Sequence, residues 1–186
     1  MPGISQNIQS IAIIGAGIIG CALAFELSKK GYKTLNVDKL PTAGFGSTSN
    51  SCALIRAHYS TYEGTAFAYD NFWYWHNWAE YIGVEDERGL AKYHATGTAW
   101  LPSKQHGYEH ILKLYEQVGV QYEIWDRAKL QERVPILNLN SQWPPRRPES
   151  PDFYDESGEK VEFAIYTPGS GSCSDSQRSR NKQSKW

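Results

Sequence analysis

Cysteine is scarce in this sequence: Cys21, Cys52 and Cys173 are the only three in 186 residues. An odd number with no C-x-x-C pair gives no disulfide framework and fits a reducing compartment. An excess charge of one sign is missing too, with 19 Lys and Arg against 20 Asp and Glu and a net charge of -1. Such a balance makes no broad field, which argues against nucleic acid or an anionic membrane as the main partner. Long apolar runs are absent. The longest, Ile11–Leu23, is broken by three glycines and is too short to cross a bilayer. No basic stretch leads into an apolar segment with a small-residue cleavage site, which predicts an intracellular, cytoplasmic protein. The closing Ser184-Lys185-Trp186 differs from a peroxisomal Ser-Lys-Leu address. Metal motifs are also lacking. His106 and His110 stand four apart, but no third ligand is near and no H-E-x-x-H occurs, so no metal is expected.

Aromatics, by contrast, are abundant at 13%, with 7 Trp and 12 Tyr, and eight lie between Phe67 and Tyr81. They fall on a helix predicted over Glu63–Ile82, with Phe72, Trp75, Ala79 and Ile82 on one face and Tyr69, Trp73 and Glu80 on another. Helical spacing reads this cluster as core, with His76 packed inside it, rather than as a cage for a methylated amine. Further along, the pattern predicts a strand over Tyr93–Leu101, a helix over Gly107–Val118 and a strand over Gln121–Trp125. A short helix capped by Asp126 and a strand over Phe163–Tyr166 follow. Residues 138–160 are Pro-rich and read as an insertion. Residues 169–186 hold six serines and one large apolar side chain, Trp186, and are expected to be disordered.

The opening carries the strongest pattern. Ile11–Ile14 is a short apolar strand. Ile18–Lys30 is a helix with Ile19, Leu23 and Leu27 spaced along it, and Gly31 stops it. Tyr32–Leu40 holds a second strand, closed by Pro41. Between the first strand and the helix lies Gly15-Ala16-Gly17-Ile18-Ile19-Gly20, the G-x-G-x-x-G spacing in the context it requires. Gly15 permits the tight turn, Gly17 lets a pyrophosphate reach the backbone, and Gly20 lets helix and strand close together. The helix start then presents N–H groups and partial positive charge to the phosphates. Asp38 ends the second strand 18 residues after Gly20, where a carboxylate accepts ribose hydroxyls and disfavours a 2′-phosphate. The turn predicts a bound dinucleotide and, alone, does not separate FAD from NAD.

The next stretch tilts the choice to FAD. Ser47-Thr48-Ser49-Asn50-Ser51 is a run of hydroxyl and amide side chains, followed by Cys52-Ala53-Leu54-Ile55-Arg56-Ala57-His58-Tyr59-Ser60. Together with GAGIIG and its acid, this text resembles the FAD-dependent amine oxidoreductases of the D-amino-acid oxidase superfamily, in the sarcosine oxidase and dimethylglycine dehydrogenase branch. The segments around Thr96–Leu101, Trp125-Asp126 with Val134-Pro135, and AIYTPGSG at 164–171 share the likeness. The resemblance implies FAD as cofactor and a small-molecule amine as substrate. The cofactor residues it implies are Gly15, Gly17, Gly20, Asp38, Thr48, Ser49 and Arg56. Arg56 matches the arginine beside the flavin ring, where a guanidinium favours the reduced form. Ala53 replaces a second arginine of some relatives. His58 and Tyr59 are candidates for proton transfer. Cys52 reads as a small packed thiol.

The fold class that follows is α/β. Residues 1–62 form a Rossmann-like FAD-binding segment and residues 63–168 a helix with part of an α+β substrate domain. The expected activity is oxidation of a C–N bond in a small amine or N-methyl amino acid. Chains of this resemblance are about twice as long, so a truncated form is expected, with open sheet edges, an uncovered apolar helix face and weak or absent catalysis alone. Two other readings remain. An NAD-dependent dehydrogenase fragment predicts a third βα unit soon after Asp38. A non-catalytic product predicts no cofactor at all.

Overall fold

Ser10–Ile14 forms the first strand, β1, and Ile18–Lys29 the first helix, α1, in a computed structural model that describes residues 10–85, 87, 89–102, 107–141, 144, 146–156 and 160–174. The second strand, β2, is Lys33–Val37. β1 and β2 pair in parallel, with Ser10 opposite Lys33 and Ile14 opposite Val37, so the helix is the crossover of one βαβ unit. Gly31, at φ +86°, ends the helix, and the Gly31 and Tyr32 amides donate to the Ser28 and Leu27 carbonyls. The helix face that meets the strands is not the one the spacing suggested. Ile19 is 83% exposed and Leu23 is also exposed, whereas Gly20, Ala24 and Leu27 are half-buried. The reason lies in Gly20, which approaches β1 so closely that a Cβ there would stand 2.0 Å from the Gly15 carbonyl oxygen. That approach turns positions 20, 24 and 27 inward.

The chain divides into two compact units, one running to Ala53 and one from Leu54 onward. The second unit contains β3 (Leu54–Ile55), α2 (Tyr62–His76), α3 (Trp78–Ile82), β4 (Lys92–His94) and β5 (Thr98–Trp100). It continues with α4 (Glu109–Val118), β6 (Glu123–Asp126), α5 (Arg127–Arg133), β7 (Phe163–Thr167) and β8 (Gly171–Ser174). Two antiparallel sheets result, in the orders β3-β8-β4 and β5-β7-β6. The chain supplies the central strand of each sheet from one stretch, residues 163–174. Gly171 sits where two backbones approach closely: a Cβ there would meet the His94 carbonyl at 2.0 Å. Composition assigned residues 171–174 to a solvated tail, but strand partners on both sides satisfy their backbone. The remainder of that predicted tail, 175–186, lies outside the described residues, as does His106.

Two clusters hold the second unit. Phe72 of α2, Ile111, Leu114 and Tyr115 of α4, and Ile165 of β7 form one, together with Ala57 and Val120. The i, i+3, i+4 spacing on α4 puts its three core residues on one stripe. Trp125, Leu130, Leu139 and Ala164 form the other, which seats α5 on β6 and β7. The predicted Asp126 cap is present, its carboxylate accepting from the Lys129 amide at 2.8 Å. Arg127 donates to the Leu139 and Val161 carbonyls at 2.9 and 3.2 Å, pinning both ends of the Pro-rich insertion.

Two predicted elements are split. The helix expected over Glu63–Ile82 breaks at Asn77, whose side-chain amide and backbone amide both donate to the Trp73 carbonyl. A side chain that bonds the preceding turn competes with helix continuation. The aromatic cluster is also less buried than a core reading requires, because Phe72 is buried while Phe67 and Trp73 are exposed. The strand expected over Tyr93–Leu101 becomes β4 and β5 in different sheets. Gly97, at φ +76°, makes the break, and the Tyr166 ring fills the place of its missing side chain.

Candidate functional site

The turn after β1 is assembled from three sides within the first unit. β2 supplies the first. Gly15 takes φ +108°, and its amide donates to the Val37 carbonyl at 2.7 Å, which carries the parallel ladder one residue past the strand. Asp38, directly after β2, accepts from the Ala16 amide at 2.7 Å through one carboxylate oxygen and from the Leu40 amide at 2.9 Å through the other. These bonds, the Ala16 one foremost, hold its carboxyl below the ordinary carboxylate value. It is therefore charged at neutral pH, and each oxygen keeps lone pairs for a further donor such as a ribose hydroxyl.

The start of α1 supplies the second side. Gly17 is the N-cap and offers no side-chain cap of its own, and the first turn carries no acidic residue. The helix thus supplies no side-chain cap and no negative charge for its own positive end. The loop after β2 supplies the third. The Gly44 amide donates to the Ala16 carbonyl at 2.7 Å, and the Thr48 hydroxyl accepts from the Ile18 amide at 3.0 Å. A Cβ on Gly17 would press to 3.2 Å from that same hydroxyl. Ser49 acts within its own loop, its hydroxyl donating to the Gly46 carbonyl at 3.0 Å and its amide to that of Gly44 at 2.9 Å. The structure thus brings Gly15, Gly17, Gly20, Asp38 and Thr48 together around one turn.

Sequence reasoning missed Asn36. Its side-chain amide donates to the Gly15 and Gly20 carbonyls at 3.2 and 3.1 Å. The available signal was a polar residue inside a strand of a βαβ unit, where apolar residues are the rule.

Arg56 and His58 belong to the second unit. Ala57 between them is fully buried, which turns the Arg56 side chain outward. Its guanidinium donates to the His58 carbonyl at 3.2 Å and lies 5.4 Å from the centre of the Tyr59 ring. The His58 ring packs on Trp100 of β5, with centroids 4.0 Å apart, and its Nδ1 is buried without a hydrogen-bond partner among the described residues. Burial first, and the Arg56 charge second, push its pKa below the usual 6.5, so the ring is neutral at pH 7. His110 Nε2 donates to the Ser60 carbonyl at 2.9 Å, and His76 Nε2 to that of Gly169 at 3.2 Å. Cys52 is exposed rather than packed, since it lies in the polar loop. No described helix is long and apolar enough to cross a membrane.

Comparison with known proteins adds a family. The profile described as FAD dependent oxidoreductase matches residues 10–178. A curated glycerol 3-phosphate dehydrogenase of Caloramator mitchellensis is 42% identical over 55 residues, 30% of this chain and 12% of that protein. Among solved structures, L-proline dehydrogenase from P. horikoshii superposes with TM-score 0.67 at 20% identity, over 93% of this chain and 40% of its own. L-amino acid deaminase from Proteus vulgaris gives 0.64 at 16%, over 95% and 37%. Glycine oxidase from Bacillus cereus gives 0.62 at 16%, over 94% and 43%. At these identities the likeness is one of fold. The chain spans about 40% of the length of the first of these structures.

Proposed function

The chain belongs to the FAD dependent oxidoreductase family, and on that premise we propose that it binds FAD through the turn at residues 15–20 and takes part in oxidising the C–N bond of a small amine or amino acid. The observation that carries the cofactor assignment is the turn itself. A glycine N-cap, an acid-free first helical turn and a carboxylate directly after β2 stand around this one turn. The residues fit the group. Gly17 leaves the backbone open to a diphosphate, Gly20 lets α1 close on β1, and Asp38 receives ribose hydroxyls. Residues 38–53 run as turns with no third βα unit, which favours FAD over NAD.

When bound, FAD supplies a two-electron acceptor for the carbon next to an amine nitrogen. The chain's own part is to hold and to polarise. Thr48 and Ser49 shape the polar loop. The family resemblance assigns Arg56 a positive charge beside the flavin and makes neutral His58 a candidate for proton transfer. The amine substrate is favoured by the structural neighbours, a proline dehydrogenase, an amino acid deaminase and a glycine oxidase. Equilibrium dialysis of the purified chain against FAD tests the cofactor. Anaerobic bleaching of the flavin band by sarcosine, proline, glycine and glycerol 3-phosphate, tried in turn, tests the substrate class. Uptake of FAD and bleaching by an amine is the expected result. Bleaching by glycerol 3-phosphate alone would replace the C–N assignment.

A further inference from the structure

Asn36 is out of place in its strand. β2 reads Lys-Thr-Leu-Asn-Val, and its exposed positions are Lys33, Leu35 and Val37, while Thr34 and Asn36 turn toward the α1 side. Side chains two apart on an extended chain share a face, so Asn36 and Asp38 approach the turn after β1 from the same side. Asn36 Nδ2 donates to the Gly15 carbonyl at 3.2 Å, and Asp38 accepts from the Ala16 amide at 2.7 Å. That carbonyl and that amide are the two ends of a single planar peptide group and point in opposite directions. One side chain therefore holds the oxygen end and the other the nitrogen end. The second Asn36 bond, 3.1 Å to the Gly20 carbonyl, ties the same amide to the first turn of α1.

The clamp matters because Gly15, at φ +108°, has no side chain to restrict its rotation. Turning the Gly15–Ala16 peptide would swing Gly17 and the first N–H groups of α1, which are what an anion reads. It would also take the Gly15 carbonyl off its Asn36 donor. We propose that Asn36 is a positioning residue for the diphosphate-binding turn: with Asp38 it clamps the Gly15–Ala16 peptide and holds the start of α1 in the orientation that receives the cofactor's phosphates. This inference rests on the FAD assignment above.

Two variants test it. Asn36→Leu keeps the volume and removes the donors. Asn36→Asp keeps the shape and puts acceptors where donors stood. The neighbours that face this position are Ile13 of β1, Gly20 of α1, and Asp38. Cys21 bonds the Ala16 carbonyl across the turn. FAD dissociation constants are measured by equilibrium dialysis from pH 5 to pH 8. Amide exchange at residues 15–20 is measured without added FAD, with α4 as the folding control. Asn36→Leu is expected to weaken FAD binding about tenfold, the effect of losing hydrogen bonds of ordinary strength, and to speed exchange at 15–20 but not in α4. Asn36→Asp is expected to bind more weakly than Asn36→Leu at pH 8. The two acceptor carbonyls and the Asp38 charge raise the pKa of the introduced carboxyl above the ordinary 3.8, so affinity should recover toward wild type as pH falls toward 5 and the protonated carboxyl donates to one of the carbonyls. Dissociation constants within about twofold of wild type for both variants at every pH would overturn the proposal, since removing an orienting partner costs at least that much. So would lost affinity with unchanged exchange at 15–20. If wild type takes up no FAD, the cofactor assignment falls, and the exchange comparison alone decides the clamp. If Asn36→Leu does not fold, the pH profile of Asn36→Asp decides it.

Discussion

Asp38 accepts a backbone hydrogen bond at each carboxylate oxygen, from Ala16 and from Leu40, and both bonds favour its charged form. Its folded pKa lies below the ordinary 3.8, so its stabilisation is complete above that value and is lost as pH falls through the lower folded one. The stability of the first unit to urea, followed by exchange at residues 10–37, should therefore fall on acidification below about pH 4. Asp38→Ala should flatten that step. His58 has the opposite chemistry and the same direction of pH dependence. Burial and Arg56 lower its pKa below 6.5, so the neutral ring stabilises the fold above that value and the stabilisation is lost as pH falls below it. Its NMR titration midpoint should lie below 6.5, and Arg56→Gln should raise it. The glycines and Asp38 were legible in the sequence because local backbone rules fix their roles. Asn36 was not, because the strand-turn-helix-strand pattern expects an acid where β2 ends but gives no part to a polar side chain within it. Ala53 was legible only as a missing arginine. Its φ of +52° is a conformation that suits glycine, so Ala53→Gly should lose little or nothing in thermal unfolding despite its added chain entropy.

At the scale of elements, local signals placed starts and stops well. The α1 and α4 ends at glycine and the α5 start at Asp126 follow from capping, which needs only a few adjacent residues. Asp126→Ala should cost about 1 kcal/mol in denaturant unfolding of the second unit. Leu130, fully buried on the same short helix, should cost about 2–5 kcal/mol on replacement by alanine, because a cavity adds to lost transfer energy. The comparison of these two variants separates local capping from packing. Strand continuity was less legible. β4 and β5 read as one strand because their residues suit a strand throughout, and the break at Gly97 is demanded by the Tyr166 ring from a strand about 70 residues away. β8 read as tail because its composition is small and polar. Its neighbours β3 and β4, together with the close approach of Gly171 to His94, make it a central strand.

At the scale of the molecule, the two units differ in what they bury. The second has two apolar clusters. In the first, Ile13 is the buried apolar residue of the core among the described residues, while Ile14, Leu35 and Val37 stand 94%, 64% and 51% exposed on the face of the sheet away from α1. A parallel pair whose both faces are apolar is built to be covered twice, which is why β1 reads as a continuous apolar run. A unit with so small a core gains most from a ligand. FAD at a hundredfold excess over its dissociation constant should raise the unfolding free energy of the first unit by about 2.7 kcal/mol. Exchange in β1 and β2 should slow accordingly, with little change in α4.

The order strand, glycine turn, helix, strand, acid was determined by the sequence alone. Each of its steps is a rule about a few neighbouring residues: φ freedom at glycine, apolar runs for buried strands, a carboxylate where β2 ends. Which face of α1 meets the sheet was decided only in three dimensions, as were the clamp on one peptide by Asn36 and Asp38, the division of residues 92–100 between two sheets, and the central place of residues 171–174. Those outcomes depend on how closely distant backbones approach, a distance set by the packed chain and carried by no local pattern.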